Sequence, residues 1–138
     1  DVNEVHSTGR LAAKYVENNV PEGACFINVE RALQQSMLAY LKKDKYVVYQ
    51  ANSKKFTTFV TWDENWKNVT TLVDLRDALE KVQEDYDNVY IISGEQLGVP
   101  RIGKNKFRLV FNTEGKAMTS FYSAPEVFYI YKVQSIQN

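Results

Sequence analysis

The spacing of apolar and polar positions changes period several times along this chain, and each change predicts an element. Residues 8–18 set Leu11, Tyr15 and Val16 on one side behind Thr8 as N-cap, a first helix that Asn19, Pro21 and Gly23 stop. Cys25, Phe26, Ile27, Asn28 and Val29 read as a short buried strand. A second helix is expected over 30–42, with Leu33, Met37, Tyr40 and Leu41 at helical spacing. Two β-prone runs follow at 45–50 and 56–62, rich in Tyr, Val, Phe and Thr. The strongest helical repeat is Leu72, Leu75, Leu79, Val82 and Tyr86, opposed by Asp77, Glu80, Lys81 and Glu84. Thr71 followed by Asp74 has the spacing of a capping box. Residues 88–92 are apolar enough for a strand buried on both faces, and they open into a loop holding Gly98, Pro100 and Gly103. Further strands are expected at 106–111, at 118–122 and, last, at 126–133.

Strands alternate with helices over the first ninety residues, which implies parallel pairing through right-handed crossovers. The last forty residues lack helical spacing and are expected to add antiparallel strands at one edge. The expected fold is therefore an α/β domain, a Rossmann-like three-layer α/β sandwich with a mostly parallel sheet and an antiparallel C-terminal edge. A length of 138 residues fits a single domain, 1–138, with one core.

Charge and composition narrow the chemistry. The 17 basic and 17 acidic residues cancel, so no global field draws the chain to nucleic acid, and no nucleic-acid motif accompanies its lysines. One cysteine, Cys25, and one histidine, His6, exclude a disulfide framework and a Cys/His zinc site within one chain. No cofactor is expected. No apolar run approaches the roughly 20 residues that span a bilayer, and the chain reads as a soluble domain. Its opening, DVNEVHSTGR, leads straight into a helix, as an excised domain would; a processed natural terminus would look the same.

Candidate sites are few. In open α/β sheets ligands sit beyond the C-terminal ends of the strands, which here nominates Asn28, Ser93, Glu95 and Gln96. The turn after the first strand reads Asn28, Val29, Glu30, Arg31, so the glycine fingerprint of a dinucleotide site is absent. Ser93 has no G-x-S-x-G elbow and no neighbouring histidine, and a loop-capping hydroxyl is the better reading. Carboxylate pairs such as Asp63 with Glu64 lie in polar runs where burial cannot separate their pKa values. Two basic sets remain, Lys42, Lys43, Lys45, Lys54 and Lys55, and then Arg101, Lys104, Lys106 and Arg108. Brought to one side they would face anionic lipid headgroups; left apart they are a solvated rim.

Three segments carry a resemblance: AAKYVENNVPEGACFINV, the middle YLKKDKYVVYQANSKKFTTFVTWDENW, and the closing EVFYIYKV. Together they resemble the C-terminal extracytoplasmic domain of bacterial multi-spanning membrane glycosyltransferases, similar to the dolichyl-phosphate-mannose protein mannosyltransferases and aminoarabinose transferases. The residues matching that pattern are Tyr40-Leu41, Tyr46 to Tyr49, Thr58-Phe59, Trp62-Asp63, and Glu126, Phe128, Tyr129 and Tyr131. The resemblance implies an extracytoplasmic accessory piece of a protein that transfers a sugar from a polyprenyl-phosphate donor. The catalytic acid of such proteins lies in their membrane part, so none is carried over and this piece is expected to be inactive alone. Its implied partners are the transmembrane portion of the same protein, lipid headgroups and a glycan acceptor. Trp62, Asp63 and Trp66 would stack on and hydrogen-bond a sugar; Trp62 as core filler at a strand end is the competing reading. Two other classes stay open: a free-standing small-ligand binder using the strand ends, and an interaction module pairing through an edge strand at 126–133.

Overall fold

The computed structural model describes residues 8–29, 45–51, 53–56, 71–113 and 129–135. Its described elements are α1 (Thr8–Asn19), β1 (Cys25–Asn28), β2 (Val47–Gln50), β3 (Lys55–Phe56), α2 (Leu72–Gln83), β4 (Val89–Ser93), β5 (Arg101–Ile102), β6 (Asn105–Asn112) and β7 (Tyr129–Ser135). The seven strands form one sheet in the order β3-β2-β1-β4-β7-β6-β5. The helix expected at 30–42, the strand at 118–122 and most of the one at 56–62 lie outside the described residues.

The sheet is built around β1 and β4. Every residue of both strands is buried, and they pair in parallel from Cys25 with Val89 to Asn28 with Ile92. Alternation along the strands sends their side chains to two different cores. Phe26, Tyr90 and Ile92 meet Ala12, Ala13, Val16 and Val20 from the α1 side. Cys25, Ile27 and Ile91 meet Leu75, Ala78, Leu79 and Val82 of α2 on the other. Alanines at 12 and 13 keep α1 close to the sheet, and Phe26 fills the space with rings on both flanks, 5.8 Å from Tyr46 and 5.6 Å from Tyr90.

The expectation of a mostly parallel, Rossmann-like sandwich is overturned. Only the pairings of β1 with β2 and with β4 are parallel. The pairings β2 with β3, β4 with β7, β7 with β6 and β6 with β5 are all antiparallel. With two helices among the described residues, the molecule is a strand-dominated mixed α/β fold. The physical reason lies in the connections: β2 and β3, and β5 and β6, are joined by turns of a few residues, too short for the crossover a parallel pair needs, while the longer strands β6 and β7 pair antiparallel over most of their length. Phe56 likewise opens no separate parallel strand. It returns against Tyr49 after a turn in which Lys54 adopts φ 59. The final strand is no edge either, since β7 has β4 on one side and β6 on the other. Its amides are therefore spoken for, and the interaction-module reading through that strand fails. The second hairpin turns at Gly103, whose φ of 58 suits the glycine-first turn between β5 and β6.

The capping box that the sequence suggests is present. The Asp74 amide donates to Thr71 Oγ1 at 3.1 Å, and the Thr71 amide and hydroxyl both donate to Asp74 Oδ2, at 3.0 and 2.9 Å. These bonds from the Thr71 backbone and side chain hold the Asp74 carboxyl below its usual range. A lowered native pKa stabilises the fold above the ordinary carboxylate pKa, and that contribution is lost as pH falls through the lowered value. Thr71→Ala is expected to cost about 1 kcal/mol at neutral pH. In paired denaturation curves the gap between variant and parent should narrow once Asp74 is protonated, on the acid side of the normal aspartate range.

Candidate functional site

Chain direction leaves a gap at the C-terminal ends of β1 and β4. From β1 the sheet continues sequentially to β2 on one side, whereas β4 lies on the other and leads on towards β5 and β6. At such a switch point the loops diverge and a crevice opens. Here it is a cavity of about 190 Å³, below the roughly 300–1,000 Å³ of sites for drug-sized ligands and roomy enough for a group of monosaccharide size. Val29, Leu72, Leu75 and Leu97 supply apolar walls, and Thr71, Ser93, Glu95 and Gln96 supply polar groups.

The polar groups differ in what they have left to offer. Ser93 Oγ donates to the Glu95 carbonyl at 2.6 Å and accepts from the Glu95 amide at 3.1 Å, so this buried hydroxyl closes its own loop. These bonds are those of a loop-capping serine. The Thr71 hydroxyl is likewise engaged with Asp74 in both directions. Glu95 and Gln96 are exposed at the mouth, and their side chains make no hydrogen bond or ion pair with the described residues. The wall at Leu97 is fixed from the antiparallel half of the sheet, where Tyr131 Oη accepts its amide at 3.1 Å. A shallower groove of about 220 Å³ adjoins the cavity across Leu72, beside Val73, Arg76 and Arg101. It leaves Leu72 and Val73 more than half exposed, at 56% and 55%.

The sequence candidates separate accordingly. Ser93 and Gln96, with Glu95 between them, come together in the cavity wall. Asn28 does not join them. It shares the face of Phe26, is fully buried, and donates through Nδ2 to Gln50 Oε1 at 2.8 Å. Trp62, Asp63 and Trp66 lie outside the described residues, as do Lys42 and Lys43. Lys45 precedes β2 and pairs with Glu22 at 3.1 Å. Lys54 and Lys55 stand at the β3 edge, while Arg101 and Lys104 stand at the β5 edge, six strand spacings or roughly 29 Å away. The described members of the two basic sets are not brought to one patch. Sequence reasoning missed Thr71, Leu72 and Leu75 as cavity residues, although the capping box already located the start of α2.

Reactive chemistry is thin among the described residues. Burial pushes the Cys25 thiol up to about 12, so it is an inert core group. No three His, Cys, Asp or Glu side chains are grouped to hold a metal among the described residues. No described helix is long and apolar enough to cross a membrane. No family model, no curated protein and no solved structure matches the chain.

The Asn28–Gln50 bond gives this end of the sheet its second fixed point. Asn28→Ala leaves the buried Gln50 carbonyl without that donor and is expected to cost about 1–3 kcal/mol in chemical denaturation, whereas Gln96→Ala at the exposed mouth should stay within about 0.5 kcal/mol of the parent.

Proposed function

We propose that this chain is a non-catalytic extracytoplasmic accessory domain of a membrane glycosyltransferase-like protein, and that it holds a neutral, sugar-sized group at the ends of β1 and β4. The cavity mouth carries this reading. Its uncommitted polar groups are the Glu95 carboxylate and the Gln96 amide, beside apolar walls of Val29, Leu75 and Leu97. A carboxylate accepts from hydroxyls, a primary amide both donates and accepts, and aliphatic walls suit the C–H face of a sugar ring. The same carboxylate disfavours a phosphate, so the hydroxyl-bearing end of a donor or acceptor fits here better than the lipid phosphate. The segments ending in EGACFINV, in TWDENW and in IYKV support the glycosyltransferase-like parentage. Its sugar transfer from a polyprenyl-phosphate donor would belong to the membrane portion, the domain's partner in the same protein.

The cavity alone equally favours a free-standing small-ligand binder, and the open reading frame separates the two. A frame continuing into several apolar spans of about 20 residues supports the accessory domain; a frame closing near these 138 residues overturns it. Binding is checked by titrating a panel of neutral monosaccharides into the isotope-labelled chain and following amide shifts. Saturable shifts at Leu72, Glu95, Gln96 and Leu97 are expected, weakened about tenfold or more by Glu95→Ala with Gln96→Ala. Shifts that are absent, or that ignore the double substitution, sink the sugar site.

A further inference from the structure

The chain's formal charge is zero, but among the described residues charge is unevenly divided between the two faces of the sheet. Phe107 packs on the α2 side, so its neighbours Lys106 and Arg108 project to the α1 side. Ile130 packs on the α1 side, and Lys132, two residues on, shares its face. The ladder then sets Arg108 directly opposite Lys132 and Arg101 directly opposite Lys106. Like charges facing each other across strands destabilise a sheet. Lys106, Arg108 and Lys132 have no hydrogen-bonded or ion-paired partner among the described residues. Helix α1, on the same face, exposes Arg10 and Lys14 and carries one carboxylate, Glu17. Helix α2, on the opposite face, carries Asp74, Asp77 and Glu80 against Arg76 and Lys81, with Glu84, Asp85 and Asp87 just beyond it.

We infer that the β5-β6-β7 face bearing Lys106, Arg108 and Lys132 is a docking surface for the anionic headgroups of a lipid bilayer. Charge complementarity selects the occupant. Lys106, Arg108 and Lys132 stand on the adjacent strands β6 and β7 of an open sheet, an arrangement that matches a plane of separate negative charges better than one enclosed anion. Nucleic acid is the less suited polyanion, because the aromatic ring in this row, Tyr90, is buried and offers no base a stacking surface. The inference stands on charge geometry and is separate from the sugar cavity, which the α2 side lines.

The test is co-sedimentation of the whole chain, at low salt, with vesicles of phosphatidylcholine alone and of phosphatidylcholine with one-third phosphatidylglycerol. Binding is expected only to the anionic vesicles, falling steeply with added salt. Each cation removed should lower partitioning about fivefold, so Lys106→Gln/Arg108→Gln/Lys132→Gln should lose about a hundredfold. A control of equal charge, Lys54→Gln/Lys55→Gln/Lys81→Gln, should keep most of the binding. Arg108→Gln alone, with an unchanged circular dichroism spectrum, should show its fivefold loss even if the triple variant folds poorly. Absence of binding to anionic vesicles overturns the inference, as does equal loss in the control. Tighter binding to single-stranded DNA that the same triple variant abolishes assigns the face to another partner and also overturns it. Sugar titration of the triple variant should be unaffected, which keeps failure of this face distinct from failure of the cavity.

Discussion

Two neighbouring strands that must be shielded from water on both sides govern this fold. β1 and β4 bury every side chain they carry, and each large apolar one left exposed would forfeit roughly 1.5–3 kcal/mol. A helix over each face meets that demand, and it fixes what those helices look like. α1 approaches on alanines because Phe26 and Tyr90 already occupy the space beneath it. α2 brings Leu75, Leu79 and Val82 because the facing side chains, Cys25, Ile27 and Ile91, are smaller. Parallel pairing of the two strands also sends both chains out at the same end, and the cavity is the space between their diverging exits.

The antiparallel half supports that site from a distance. β7 joins the sheet at β4, so Tyr131 reaches the loop beyond β4 and holds the Leu97 amide. β6 is tied to the far end of α2 by a 2.7 Å bond from Gln83 Nε2 to Asn105 Oδ1. The helix that lines the cavity at its first turn is thus anchored at its last turn to a strand three places across the sheet from β1. Displacement of β7 or β6 would be felt at the cavity wall without any contact to a ligand.

Local physics was legible in the sequence where it is enough to specify an element. The Thr71–Asp74 cap, the leucine repeat of α2 and the unbroken apolar run of β4 each state their own structure, and each is found. Partner choice was not legible. The alternation in 129–135 suits an edge or an interior strand equally, and only the pairing with both β4 and β6 decides it. Phe56 similarly reads as the start of a new strand until Tyr49 is seen across the turn, their rings 4.7 Å apart. For the site, Ser93 and Gln96 followed from the rule about strand ends. Asn28 obeyed the same rule but points to the other face, since one residue of register reverses the side a strand residue serves.

The arrangement of charge explains why the cavity suits neutral chemistry although it opens at the start of a helix. A helix N-terminus ordinarily welcomes an anion, but here the Asp74 carboxylate already stands at the start of α2, accepting two hydrogen bonds from Thr71. Glu95 adds a second carboxylate at the mouth, while the cations of β6 and β7 stand on the opposite face of the sheet. An anionic group entering the cavity would therefore meet repulsion from Glu95 and find the favourable end of the helix dipole filled. A hydroxyl-rich group meets neither obstacle. The sheet that separates the two faces would thus also separate the two proposed kinds of recognition, hydrogen bonding by polar side chains on the α2 side and long-range attraction by lysine and arginine on the α1 side.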